Sequence, residues 1–442
     1  MKSQKYSFSI FLGCFLLSSA SFSKTKIDFE IWRAQQVQAS VDKVFASMSF
    51  TDTAKGAVVA SPSKSYPDYY YHWVRDAALV MDTVVDFYQQ KNTNHSQAFI
   101  QNKINNYISF SKKNQETQTL TGLGEPKFYV DGKSFGLSWG RPQTDGPALR
   151  SLTLIRWAHL KLDEGATAYV KAQMYNPLDF NSLIKADLEY VSRNWNLSSY
   201  DLWEEVRADH FFTKIVQRAA LLEGATLAQR LQDYAASDWY LKQASALTTQ
   251  LNSFMDPGFD YIPVSQHYSE GLKAKQSGLD VAVILAVLRS PDRNAFVPIE
   301  HLQIQKTLNV LIERFQKLYP INQDSNRPGT AIGRYPEDVY DGAGSSRANP
   351  WVLGTMAVAE AYYKLAKFHN DQGHMQKAVE AFDKGDQFFR RVQLHANSDY
   401  SLSEQMDRDS GHMVGARDLT WSYASVLKAN RAREIVFKKI VR

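Results

Sequence analysis

The sequence predicts an all-α fold. Three observations lead there: apolar residues recur at helical spacing along nearly the whole chain, alternating β patterns are scarce, and short links alternate with long connections rich in Gly, Pro, Ser and aromatics. Val80, Val84, Phe87 and Tyr88 fall at i, i+4, i+7 and i+8. Ile304, Leu308, Leu311, Phe315 and Leu318 form a second stripe, which Pro320 ends. About twelve such segments follow from the pattern. They cover 27–48, 75–91, 96–114, 146–163, 178–194, 211–226, 229–253, 278–289, 298–319, 351–369, 374–396 and 416–434. The only strand candidates are 127–130 and 261–264.

The links 92–95, 226–229 and 370–373 are short, whereas 50–74, 115–145, 254–277, 320–350 and 397–415 are long. Paired helices give this rhythm, and six helical hairpins closed into a ring make an (α/α)6 barrel with its long, functional loops at one end. An open helical solenoid would need a recurring signature every 34 to 47 residues or so, and none occurs. No linker sets off a second domain.

The chain of 442 residues is long enough for a substantial core, and 44% hydrophobic with 22% charged residues marks it as globular rather than disordered. Its net charge of +5 is dispersed without blocks of like sign, so nucleic acid is not an expected partner. Lys2 and Lys5, an apolar run over 7–20, and the small residues Ser21 and Ser23 read as an export leader over 1–23, leaving 24–442 as a single domain. That run is too short for an ordinary membrane span, and no later stretch supplies one. The one cysteine, Cys14, lies inside the leader, so the exported chain must hold together without disulfides. A secreted or periplasmic monomer is expected. No His/Cys/Asp cluster has metal-ligand spacing, and neither metal nor cofactor is expected.

Five loops carry polar chemistry beside large rings. The first ends Tyr69-Tyr70-Tyr71-His72-Trp73-Val74-Arg75-Asp76. Arg75 and Asp76 can grip vicinal hydroxyls, one as donor and one as acceptor, or form a local ion pair at a helix start, and His72 reads as packing. The second holds Gly124-Glu125-Pro126-Lys127-Phe128 and Ser138-Trp139-Gly140-Arg141-Pro142-Gln143-Thr144-Asp145. Trp139 stands among small residues and reads as an exposed stacking ring. Asp145 reads as a cap for the helix that follows. The third is Tyr200-Asp201-Leu202-Trp203-Glu204-Glu205-Val206, where three acids are pressed against rings. That is the chemistry of a sugar site, in which an apolar wall keeps a carboxyl protonated, and equally of acids set against a helix N-terminus. The fourth, Gly333-Arg334-Tyr335-Pro336-Glu337-Asp338 with Asn349-Pro350-Trp351, is either an ion-pair cluster or a guanidinium offered to a hydroxyl. The fifth is Ser403-Glu404-Gln405, followed by Leu419-Thr420-Trp421-Ser422-Tyr423. Five of the nine tryptophans lie in these loops, where core packing would scatter them. Glu204 and Glu404, 200 residues apart, can face each other across a sugar, as inverting glycoside cleavage requires.

Taken in order, Trp73-Val74-Arg75-Asp76, Ser138 to Gln143, Asp201 to Val206, Gly333 to Asp338, Ser403-Glu404-Gln405 and Leu419 to Tyr423 resemble the glucoamylases, glucan 1,4-α-glucosidases that form one family of inverting glycoside hydrolases. The spacer between Asp341 and Arg347 is similar to that of the yeast branch. The resemblance implies an (α/α)6 barrel with Glu204 as general acid and Glu404 as an ionised general base. It also implies an assisting role for Asp201. By the same match Tyr69, Arg75, Asp76, Trp203, Glu205 and Arg334 would line the site for the terminal glucose, and Trp139 and Trp351 would wall it. The implied partner is an α-glucan: starch, glycogen or maltooligosaccharides, attacked from the non-reducing end. With no appended starch-binding module, soluble glucans are the expected substrates. Ser199 and Ala208 depart from the family pattern and flank the acid motif. A same-fold enzyme acting on α-1,6-glucan or trehalose, and a non-catalytic sugar-binding helical protein, are the alternatives.

Overall fold

The computed structural model describes residues 11–91, 93–272 and 275–440, with side chains from residue 28 onward. The expected leader over 1–23, with Cys14, lies outside those described side chains. The helices are α1 (Phe11–Ala46), α2 (Val74–Gln90), α3 (Gln97–Glu116), α4 (Asp145–Asp163), α5 (Thr167–Gln173), α6 (Leu183–Asn194), α7 (Phe211–Arg230), α8 (Tyr234–Leu251), α9 (Ala282–Arg289), α10 (Leu302–Leu318), α11 (Val352–Asp371), α12 (Met375–His395) and α13 (Thr420–Ile440).

Six of them close a ring. α2 packs on α4, α4 on α7, α7 on α9, α9 on α11, α11 on α13, and α13 returns to α2. A second layer lies outside it: α3 against α2, α6 against α4, α8 against α7, α10 against α9, α12 against α11, and α1 against α13 and α12. This is the (α/α)6 barrel. Sequence dictates the layers. Inner helices are apolar around most of their circumference: all of Ala282 to Leu288 in α9 and all of Val352 to Tyr363 in α11 are buried. An outer helix such as α10 buries one stripe, Ile304, Thr307, Leu308, Leu311 and Phe315, and turns the rest to solvent.

The ring is also tied by buried ion pairs. Arg150 of α4 donates from Nε and Nη2 to both carboxylate oxygens of Asp187 on α6, at 2.8 and 2.6 Å, with neither residue exposed.

The expected helices recur with shifted ends. The segment expected at 178–194 starts at Leu183, because the Asn176 and Asp179 side chains accept backbone N–H groups two residues ahead and hold a turn instead. Short α5 went unforeseen. The helix expected at 416–434 starts at Thr420, since Met413–Arg417 is a strand.

Among the described residues, seven short strands cap the ring. β1 (Tyr71–Trp73) pairs with β2 (Lys127–Tyr129). β3 (Ser199–Tyr200), β4 (Val206–His210) and β5 (Ser265–Gly271) form a three-stranded sheet. β6 (Ser403–Met406) pairs with β7 (Met413–Arg417). Strand 127–130 was expected. Residues 261–264 form no strand: Tyr261 and Val264 sit at bends, and strand pairing begins at Ser265.

Asp187→Ala leaves the Arg150 guanidinium buried without its partner. We expect a loss of about 3–5 kcal/mol of stability, read as a lower denaturation midpoint with activity per folded molecule unchanged.

Candidate active site

Both glutamates are delivered by hairpins. β3 and β4 are joined by a tight turn over 201–205, in which Glu204 N–H donates to the Asp201 carbonyl and Asp201 N–H to the Val206 carbonyl, each at 2.9 Å. The stretch is therefore a strand-to-strand turn and not a helix start; α7 begins only at Phe211. Glu204 takes a left-handed backbone, φ 67°, which a residue with a long side chain adopts at some cost in strain. The two departures from the family pattern, Ser199 and Ala208, are register partners in this hairpin, both buried, so they are accommodated against each other.

Glu404 lies on β6 where the register with β7 shifts between Ser403 and Gln405. Such irregularities re-aim a side chain. Gly415 of β7, at φ 74°, makes room for it: a Cβ there would sit 2.6 Å from Glu404 Oε2.

Both side chains reach one pocket of about 320 Å³, within the usual size of small-molecule sites. Tyr69, Arg75, Asp76, Trp139, Trp203, Glu205, Arg334 and Trp351 line the same pocket, so the structure gathers ten of the eleven residues singled out in the sequence. Asp201 is the exception. It is buried beneath the turn, where Oδ1 accepts the N–H groups of Glu205 and Val206 at 2.8 and 3.0 Å and Oδ2 meets Lys275 at 2.5 Å. Asp201 thus fastens the turn that carries Glu204 and does not itself line the pocket.

Glu204 is held through one oxygen. Trp73 Nε1 and Gln143 Nε2 donate to Oε1 at 2.8 and 2.9 Å, and Arg75 Nη2 stands 3.6 Å from it. Arg75 donates from Nη1 to Gln143 at 2.7 Å and contacts Asp145 at 3.4 Å and Asp76 at 3.3 Å. Asp145, in the first turn of α4, thus also belongs to the charge cluster behind the pocket. Arg334 is clasped by Asp338 at 2.6 and 2.7 Å and by Glu205 at 2.7 Å, an ion-pair cluster at the wall of the pocket. Tyr335 donates to the other Glu205 oxygen at 2.7 Å. His72 packs, accepting the Val58 N–H at 3.0 Å.

Rings form the walls. Trp203 stands 5.6 Å from Trp351 and 6.5 Å from Trp421 between ring centroids, and Trp73 lies 5.4 Å from Tyr69 and 6.2 Å from Trp139. Trp139 is 37% exposed, as expected of a stacking ring. The buried Lys127 ammonium sits 3.2 Å from its centroid, and burial brings that ammonium down to about 8. Arg75 Nε and Asp76 Oδ2 face each other as an ion pair at 3.3 Å, and the Trp351 indole N–H is buried without a hydrogen-bond partner. An unpaired buried donor of this kind costs about 1–3 kcal/mol. Among the described residues no group of three His, Cys, Asp or Glu side chains is placed to hold a metal ion.

Residues 34–431 match the family described as Glycosyl hydrolases family 15. The chain belongs to that family. A glucoamylase of Blastobotrys adeninivorans is 36% identical over 433 residues, covering 88% of this chain and 69% of its own. The intracellular sporulation-specific glucoamylase of Saccharomyces cerevisiae is 30% identical, covering 93% and 85%. The solved glucoamylase of Saccharomycopsis fibuligera superposes with a TM-score of 0.83 at 30% identity, covering 93% of this chain and 96% of that one.

In this family-15 enzyme, burial pushes the Glu404 carboxyl up to about 8, against the pull of the Tyr69 hydroxyl and Arg334. Burial also raises Asp76 to about 6 although Arg75 opposes it. Residues with no role assigned in the sequence are equally part of the site: Trp73 and Gln143 hold Glu204, and Tyr340 and Trp421 line the pocket. Trp73, Gln143 and Trp421 stood inside the quoted motifs, and that was the available signal. Lys275, beneath the turn, had none.

A carboxyl that keeps its proton when folded and loses it when unfolded weakens the fold as pH rises. For Glu404 the loss begins near pH 4.5, the ordinary value, and is complete above about 8. Glu404→Gln should match the parent's stability below pH 4 or so and exceed it by a few kcal/mol near pH 8. Thermal midpoints across that range check the sign.

Proposed function

We propose that this enzyme is an exo-acting glucoamylase, hydrolysing terminal α-1,4-linked glucose from the non-reducing ends of starch, glycogen and maltooligosaccharides with inversion to β-glucose. The observation that carries the residue-level reading is the arrival of Glu204 and Glu404, from two separate hairpins, at one ring-walled pocket.

In this reading Glu204 is the general acid. The N–H donors on its Oε1 fix the carboxyl's orientation, so that its proton is directed at the glycosidic oxygen. Glu404 is the general base. It takes a proton from the water that attacks C1 from the opposite face, a geometry that needs about 6.5–9.5 Å between the two carboxyls. Positive charge developing on the sugar, together with the attacking water, lowers the cost of ionising Glu404 and returns it to the form a base needs. Arg75, Asp76, Glu205 and Arg334 bind hydroxyls of the terminal glucose, while Trp139, Trp203 and Trp351 supply apolar faces for the rings. A closed end beyond the terminal glucose makes attack exo.

Export of a monomer is part of the proposal. Lys2, Lys5 and the apolar run support it. No helix among the described residues is long and apolar enough to cross a membrane.

A proton NMR time course on maltotriose should show β-glucose first and maltose as co-product, with far slower release from isomaltose and trehalose. Prompt α-glucose would overturn inversion. Glu204→Gln and Glu404→Gln should each lower kcat on maltotriose by about 10²–10⁴-fold while oligosaccharide binding persists. Near-parental turnover in either variant removes that residue from its assigned role.

A further inference from the structure

Glu204's side chain is fixed from one side, by Trp73, Gln143 and Arg75. The turn that carries it is fixed from the other by a residue in no motif, Lys275. Lys275 lies between β5 and α9, with its side chain 2% exposed. Its ammonium is 2.5 Å from Asp201 Oδ2, 3.4 Å from Asp280 Oδ2 and 3.7 Å from Glu205 Oε2. Each contact leads to a neighbour of Glu204 in sequence. Asp201 turns its other oxygen to the N–H groups of Glu205 and Val206, closing the turn. Asp280 accepts the Trp203 indole N–H with both oxygens at 3.0 Å. Glu205 is reached directly.

We propose that Lys275 is a positioning residue for the acid turn: by drawing Asp201, Asp280 and Glu205 onto one buried cation it sets where the Glu204 carboxyl meets the glycosidic oxygen.

Three carboxylates converging in a buried space repel one another and would open the turn without a cation among them. The backbone of Glu204 is in a left-handed conformation that local preference does not maintain, so tertiary contacts must. Electrostatics agree with the geometry. Burial alone would push Asp201 up, yet Lys275 and His210 hold it at about 2. Asp280, farther from the ammonium, is left at about 6 by burial. Burial would likewise lower Lys275, and its three acids together raise it instead.

The inference rests on Glu204 being the acid, and the test separates the two. Lys275→Met keeps the apolar stem and removes the charge. We expect kcat on maltose to fall by about 100-fold, whereas α-glucosyl fluoride, whose leaving group departs with little help from a proton donor, loses less than about fivefold. Loss of folded enzyme or of the glucose subsite would lower both substrates equally, and that result, or no loss on maltose, overturns the proposal. If Lys275→Met does not fold, Asp201→Asn is measured in the same way with the same expected split and the same overturning results. Glu204→Gln runs alongside. If it fails to split the two substrates, the acid assignment fails. If it splits them and Lys275→Met does not, only the positioning role fails.

Discussion

Acids crowded into a space with little water cannot all be ionised unless cations are buried with them, and that constraint shapes everything around the pocket. Asp76, Asp145 and Glu204 gather around Arg75. Glu205 and Asp338 gather around Arg334. Asp201, Asp280 and again Glu205 gather around Lys275. These three cations are each almost wholly buried, where breaking one member of a pair is costly because its partner is left uncompensated. Glu404 alone lacks a close cation, and burial raises it accordingly. The pocket thus divides its carboxyls into Asp76, Glu204 and Glu205, each beside a buried cation, and Glu404, which has no ion-pair partner within 4 Å among the described residues.

The barrel supplies the rigidity this arrangement demands. Inner helices pack on all sides, so their ends move little, and the hairpins that hold Glu204 and Glu404 grow from those ends. α7 starts directly after β4, and α13 follows three residues after β7. The loop before α11 is stitched to the Glu404 hairpin by Asn349 donating to Gln405 at 3.0 Å, and by Met406 N–H donating to the Pro350 carbonyl at 2.9 Å. These bonds join the segment that carries Trp351 to the strand that carries Glu404, and both of those side chains line the cavity.

Much of this was legible in the chain, for physical reasons that differ from residue to residue. Helical stripes were readable because an outer helix buries one face, as Ile304 to Phe315 do. Tryptophans in polar loops were readable as site residues because Trp139 and Trp351 had no local reason to be there. The short strands were not, since pairings of two to five residues are too brief to display a period of two. The ion pair of Asp145 left no local sign, because its partner Arg75 is 70 residues away. Lys275 and Asp280 left no local mark at all, as their meaning lies in what the fold brings above them. The ionisation of Glu404 depended on burial, which no local pattern reports.

The ring closes only when α13 docks between α11 and α2. Both glutamates and nearly every binding side chain precede that helix, yet Trp421, one wall of the cavity, belongs to it. Catalytic pocket and barrel closure are therefore joined in one helix: docking of α13 completes the ring and sets one wall of the cavity in the same step.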